Sequence, residues 1–205
     1  MTTQNQNEIP AIIKNALDKR TPRVIEANPG AYKDAAVLIP LFWRDSEFMV
    51  ILTQRAQLVE HHKGQISFPG GHVDASDDSY QSAALREAEE EIGVHREDVR
   101  ILGPLDDQTT VASQFVVHPF VGLIPYPYPF AINQEEVERI LEVPFEVFTS
   151  GAYEIEGHRV TYEGRTYKTP AYRYREDLIW GATARIMKDF IKIVSRELGL
   201  PSGRK

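Results

Sequence analysis

The chain has no cysteine. That excludes a disulfide framework, a thiol nucleophile and any zinc site built on thiolates. It also suits a reducing cytoplasm, which is the expected location. Positive charge is in short supply: 23 Lys and Arg face 30 Asp and Glu, a formal net charge of −7. This is the wrong sign for a general nucleic-acid binder. Long apolar runs are missing too. The longest, Ala35 to Trp43, is broken by Pro40 and is far shorter than the ~20 residues needed to span a bilayer. The opening MTTQNQNEIP has neither the basic nor the apolar region of a signal peptide. What remains is ordinary globular composition, 42% hydrophobic and 26% charged over 205 residues. That is enough chain to bury a core without staples. We expect one domain over residues 23–205, preceded by a polar tail and helix in residues 1–22.

Ile9, Ile12, Ile13, Ala16 and Leu17 recur at helical spacing, and the stripe ends near Thr21-Pro22. Ala35 to Phe42 and Phe48 to Thr53 read as paired strands around Arg44-Asp45-Ser46-Glu47. Ser79 to Ile92 reads as a helix, with Asp77, Asp78 or Ser79 as cap and Gly93 as terminator. Val99 to Leu105 and Phe115 to Pro125 are strand-like, and the prolines of Tyr126 to Pro129 mark a loop. His118, in an apolar strand, reads as a satisfied core histidine. Glu135 to Leu141 reads as a short helix, Tyr153 to Tyr174 as a hairpin, and Thr183 to Leu198 as an amphipathic helix closed by Gly199 and Pro201. Strands, hairpins and helices mixed in this way predict an α+β (mixed α/β) fold, not a strictly alternating one.

The chemistry concentrates in Arg86-Glu87-Ala88-Glu89-Glu90-Glu91-Ile92-Gly93-Val94. With Leu85 set at zero on a helix, Glu90, Glu87 and Glu91 fall near ~140°, ~200° and ~240°, away from a Leu85/Ala88/Ile92 stripe. Three like charges on adjacent turns repel, and no lysine in residues 87–91 relieves them. A hard divalent cation would, by sharing carboxylate oxygens; Mg²⁺ also keeps waters for a phosphate-bearing substrate. A solvated acidic helix face fits the same pattern.

The surrounding residues resemble the Nudix box, G-x5-E-x7-R-E-U-x-E-E-x-G-U with U bulky aliphatic. Gly71, Arg86, Glu87, Glu90, Glu91, Gly93 and Val94 match, with Ala88 a small residue at the first U. At ~7% per fixed residue, six such matches arise by chance in roughly one window per ten million. One departure is an extra residue: Gly71 to Arg86 spans fifteen positions where the pattern has fourteen, so Asp77 or Asp78 stands in for the first acid. Upstream, Leu52-Thr53-Gln54-Arg55-Ala56 with Gly64 to Gly71 is similar to L-L-T-x-R-[SA]-x3-R-x3-G-x3-F-P-G-G, the companion motif of coenzyme A pyrophosphatases, in which the lengthened box also occurs. Here Ile51 replaces the first Leu and Glu60 the second Arg, beside His61, His62 and Lys63. Ile179 to Arg185 and Val121-Gly122-Leu123 also look like that subfamily.

The resemblance implies a Nudix-type αβα sandwich with a mixed sheet, and a Mg²⁺-dependent hydrolase, with Mn²⁺ as substitute. It would cleave coenzyme A or acyl-coenzyme A to 3′,5′-ADP and a phosphopantetheine. Glu87, Glu91 and Glu90 would hold metal, and Glu90, Glu87 and Arg86 would form the catalytic set. Arg86 is expected to pair with a helix carboxylate. The general base would be Glu90, with Glu135 or Glu136 as the outside alternative. Arg55, Lys63, Gly70 and Gly71 would meet substrate. The partners implied are a small nucleotide and a second copy of the chain, with no nucleic acid and no membrane. Other nucleoside diphosphate derivatives, and a sensing module without catalysis, are the competing readings; three intact acids argue against the latter.

Overall fold

The computed structural model describes residues 8–26, 31–56, 64–110 and 113–200. Lys63, expected to meet substrate, lies outside the described residues, as do Glu60, His61 and His62.

The chain begins with helix α1, Glu8–Asp18. Eight strands then build one sheet: β1 Lys33–Arg44, β2 Glu47–Arg55, β3 Ile66–Ser67, β4 Gly70–His72, β5 Arg100–Pro104, β6 Gln108–Thr109, β7 Phe115–Leu123 and β8 Val137–Pro144. The path is β3-β2-β1-β7-β5, with β8 on β2, β4 on β1 and β6 on β7. Among the described residues only β1 and β7 pair in parallel, which makes the sheet mixed. Helix α2, Tyr80–Ile92, covers one face; α1 and α4, Gly181–Val194, cover the other. This is an α+β, αβα sandwich, as the sequence predicts.

Strand β1 is the hinge of the layout. Its first half, Ala35 to Val37, pairs with β4, and its last residues, Leu41 to Arg44, pair with β2. Pro40, which has no N–H to give a ladder, falls in the gap between these two pairings. The split lets β4 slip in beside β1 and brings the Gly70-Gly71 turn under α2.

Two elements differ from the sequence reading. Residues Glu135 to Leu141 are not helical: a turn through Gln134 to Glu136 leads into β8. Val137, Leu141 and Val143 are its buried positions and β2 its partner. Those odd-numbered positions follow a two-residue period, which the pairing surface of β2 selects over the helical one. The segment Tyr153 to Tyr174 is more than one hairpin. β9, Arg159–Tyr162, and β10, Arg165–Lys168, turn at Glu163-Gly164, while β11, Ala171–Tyr174, pairs forward with β12, Asp177–Trp180. Glu163 and Gly164 both have positive φ, the requirement of the tight turn that matches strand twist. A short helix, α3, Glu146–Thr149, links β8 to this region.

Among the described residues no helix is long and apolar enough to cross a membrane.

Candidate functional site

Helix α2 is set firmly in place. Ser79 and Ser82 form a reciprocal cap at its start and the left-handed Gly93 ends it. Its packing corrects the expected stripe. Ala83, Ala84, Ala88 and Ile92 are buried, together with Glu91, whereas Leu85 is only half-buried. On a wheel the buried arc runs from Ala83 to Ile92 and is centred on Glu91 and Ala84, with Glu87 inside it. The acids are therefore drawn toward the sheet because their neighbours are alanines, small enough for the helix to sit close.

The three carboxylates consequently differ. Glu91 is 2% exposed; its Oε2 accepts the Gly70 N–H at 3.2 Å and its Oε1 lies 3.8 Å from Arg55. Burial is the main cause that pushes this carboxyl up to about 8; Arg55 and the Gly70 N–H pull the other way, and Glu87 and Glu136 add repulsion. Glu87 is also raised by burial, with Arg86 offsetting part of the effect and repulsion from Glu90 and Glu136 adding to it. Glu90 is outermost, with 55% of its side chain exposed.

Arg86 ties this face together. One terminal nitrogen donates to Glu87 at 2.9 Å and to Glu90 at 3.0 Å. Its Nε and the other terminal nitrogen grip Asp77 at 3.0 and 2.9 Å, and the latter also reaches the His72 carbonyl at 2.9 Å. The Asp77 hydrogen bonds are the largest reason this guanidinium is held above its ordinary range, and Arg86 in turn holds Asp77 below its own. Of the two acids in the lengthened loop, Asp77 is the one that meets Arg86. Arg86 binds helix and loop carboxylates, as the sequence suggests.

Gly70 and Gly71 are glycines for two different reasons. At Gly70 φ is +152°, and an added Cβ would lie 2.6 Å from Val37 Cα and nearer still to the Ala36 carbonyl oxygen. At Gly71 an added Cβ would meet Oε2 of Glu87 at 2.5 Å. The missing side chain at Gly71 is thus the space in which the Glu87 carboxylate sits.

A cavity of about 990 Å³ opens beside this turn, within the range that takes a nucleotide-sized ligand. Arg55, Phe68, Gly70 and Gly71 line it, together with Phe115, Tyr167, Lys168, Trp180 and Arg185. The first turn of α4 forms another wall, and no side chain caps it. The β9–β10 hairpin was legible from Glu163-Gly164 flanked by alternating residues, but its place over this cavity was not. Glu136 sits close enough to act on both buried acids and is held by Asn133 Nδ2 at 3.2 Å; Glu135 is exposed.

Do these residues suit a metal? The donors are all carboxylate oxygens, the preference of a hard divalent cation. Glu91 is buried with its nearest cation 3.8 Å away, and half-buried Glu87 is raised by burial despite its contact with Arg86. Among the described residues, however, no three His, Asp or Glu side chains converge enough to enclose an ion alone, partly because Arg86 holds both Glu87 and Glu90. A cation that binds through one or two carboxylates and keeps its waters fits this set; a fully caged one does not.

A second polar centre lies outside the cavity wall. His118 on β7 is buried between Asp34 and Asp107, at 3.0 and 2.9 Å, with the Tyr80 ring stacked on it at 3.6 Å. Asp107 also accepts the Ile25 N–H at 2.7 Å. This is the satisfied core histidine that its apolar strand suggests, and it clips the segment after α1 to the sheet.

The NUDIX domain profile matches residues 32–152. A protein of Yersinia pestis (strain Pestoides F) named "Uncharacterized Nudix hydrolase NudL" is 39% identical over 163 residues, covering 78% of this chain and 79% of that protein. Its namesake in Yersinia pseudotuberculosis serotype O:1b (strain IP 31758) matches to the same extent. Among solved structures, a MutT/nudix family protein from Enterococcus faecalis superposes with a TM-score of 0.53 at 14% identity, covering 97% of this chain and 81% of that one.

Proposed function

Because this chain belongs to the Nudix family and is a hydrolase of pyrophosphate bonds, we propose that it cleaves the diphosphate of coenzyme A or an acyl-coenzyme A. The products would be 3′,5′-ADP and 4′-phosphopantetheine or its acyl derivative, and the setting the cytoplasm. The observation that carries this reading is the convergence of the upstream motif on one cavity. Arg55 and, thirteen or more residues on in the motif, Phe68, Gly70 and Gly71 line the same cavity, with Glu87 and Glu91 immediately behind the glycines.

Nudix hydrolases generally use divalent metal ions. We assign Mg²⁺, with Mn²⁺ as substitute, to Glu87 and Glu91, with Glu90 at the outer rim. When bound it would neutralise the diphosphate and lower the pKa of an attacking water. The chain's own residues do the rest. Gly70 positions Glu91 through its N–H, and Gly71 leaves room for Glu87. Arg86 keeps Glu87 and Glu90 on one side of the helix. Arg55 faces both the cavity and Glu91, so it can meet a substrate phosphate without leaving the buried acid uncompensated. Two carboxylates remain to take the proton from water, Glu90 and Glu136.

The test is a panel of coenzyme A, dephospho-coenzyme A, NADH, ADP-ribose and dinucleoside polyphosphates with Mg²⁺ or Mn²⁺, products identified by mass. Coenzyme A should give the highest kcat/KM, and Arg55→Ala should lower it by roughly tenfold or more, the worth of one charged hydrogen bond. A panel led by NADH or a nucleotide sugar would remove the coenzyme A reading and leave the family assignment intact. Gel filtration of the same protein tests the homodimer we infer for it.

A further inference from the structure

Arg185 is a cation turned away from its own helix. Its acidic neighbour one turn on, Asp189, instead accepts a hydrogen bond from Gln108 Nε2 at 2.7 Å. Among the described residues no carboxylate lies within 4 Å of the Arg185 guanidinium, whose hydrogen bond goes to the Thr109 carbonyl at 2.7 Å. The side chain is half-buried and lines the cavity. Burial leaves this guanidinium below its ordinary range, with Asp189 offsetting only part of that. A guanidinium has five donors, and one carbonyl uses one of them. Desolvated arginines of this kind are found where a carboxylate or phosphate completes the fork.

The surroundings say which anion. Lys168, on the exposed β10 strand, lines the same cavity, as do Thr110 and Ser113, whose hydroxyls are joined at 2.8 Å. Two cations and two hydroxyls suit a dianionic phosphate monoester better than a single carboxylate. Phe115 and Trp180 line the same cavity and offer ring surfaces for a base. Arg185 is anchored at Thr109 on β6, and β6, β7, β1 and β4 lie side by side, so about three strand spacings, roughly 14 Å, separate that anchor from the β4 glycines beside Glu87 and Glu91.

We propose that Arg185 and Lys168 form a second phosphate subsite, which takes a phosphate monoester on the nucleoside half of the substrate, separate from the diphosphate. The proposal rests on the diphosphate reading above and deepens it: the enzyme selects nucleotides that carry an additional phosphate on the ribose.

Binding of two cleavage-resistant ligands tests it without turnover. Isothermal titration of the full-length protein with adenosine 3′,5′-bisphosphate and with adenosine 5′-monophosphate, at one fixed salt concentration, should show the bisphosphate bound at least tenfold more tightly. Arg185→Gln should bring that ratio close to one, Arg185→Lys should restore part of it, and Lys168→Gln, on the exposed hairpin, should narrow it. No preference in the wild type, a ratio unchanged in Arg185→Gln and Lys168→Gln, or equal weakening of both ligands would overturn the subsite. A bisphosphate preference that depends on Arg185, in an enzyme whose hydrolysis panel favours a diphosphate other than coenzyme A, keeps the subsite and discards the coenzyme A reading.

Discussion

A Cβ placed on Gly71 would lie 2.5 Å from Oε2 of Glu87. The contact is with the far end of a flexible side chain, so Gly71→Ala should fold, with a stability loss below about 1 kcal/mol. The carboxylate must move, and turnover should fall by roughly tenfold to a hundredfold, the usual cost of misplacing a reacting group by an ångström. At Gly70 the obstacle is backbone, with φ at +152°. Gly70→Ala should therefore cost about 3 kcal/mol or more, read as a drop in Tm of ~6 °C or more. Steady-state kinetics and melting curves on the pair check the contrast. Equal melting temperatures for the two variants would contradict it.

Glu91→Gln should be more stable than the wild type when no metal is present. It replaces a carboxyl that is 2% exposed, has its nearest cation at 3.8 Å, and must be either protonated or buried charged on folding, while the amide oxygen can still accept from Gly70. A gain of about 1 kcal/mol would appear as ~2–4 °C in Tm. Activity should fall by at least a hundredfold at saturating Mg²⁺. Wild-type turnover in Glu91→Gln would remove Glu91 from the metal site.

Metal binding should stabilise the fold, because the unfolded chain has no such site. Mg²⁺ at 100 times its dissociation constant adds about 2.7 kcal/mol. The wild type should thus melt at a higher temperature in millimolar Mg²⁺, and Glu87→Gln/Glu91→Gln should hardly respond. The same rise in both proteins would place the bound ion elsewhere.

Glu90 and Glu136 are separated by kinetics. Glu90 is exposed and shares Arg86 with Glu87, whereas Glu136 is half-buried and acts on both buried acids. The carboxylate that takes the proton should lose kcat by about 10²–10⁴-fold as Gln, with KM little changed. The other should stay within tenfold of the wild type. Comparable losses in both variants would mean that neither alone is the base.

How far the sequence leads depends on whether a signal is local. The caps of α2, Ser79 and Gly93, are read directly from residue type, and the Arg86 ion pairs follow from spacing along one helix and its loop. The wheel put Glu91 on a face opposed to Leu85, yet it is buried. Alanine carries too weak a hydrophobic signal to announce the close approach of helix and sheet that buries it. Residues 135–141 misled for a related reason: acids near a candidate helix start suit a helix locally, and only the nonlocal pairing of β8 with β2 decides for a strand. The cavity itself was not legible, since it assembles Phe115, Lys168 and Arg185 with the glycine turn from distant segments.

The His118 cluster makes stability depend on pH. Burial lowers the imidazole pKa, but the hydrogen bonds to Asp107 and Asp34 outweigh it, and the net position is above 6.5. The other group packed on the ring is Tyr80, itself pushed up by burial and by Asp34, Asp107 and Glu26. A group raised on folding stabilises fully below its unfolded pKa and loses that contribution as pH rises through its folded one. The native state should therefore be most favoured by this cluster below about pH 6.5 and weaken as pH climbs above it. Each tenfold gain in proton affinity on folding contributes about 1.4 kcal/mol. Urea unfolding between pH 5.5 and 9 measures the slope. His118→Gln keeps a side chain that can hydrogen-bond one aspartate but cannot titrate, so its stability should be lower near pH 6 and flatter above it. A wild-type curve that rises from pH 6.5 to 8.5 relative to His118→Gln would show that the cluster takes up no proton on folding.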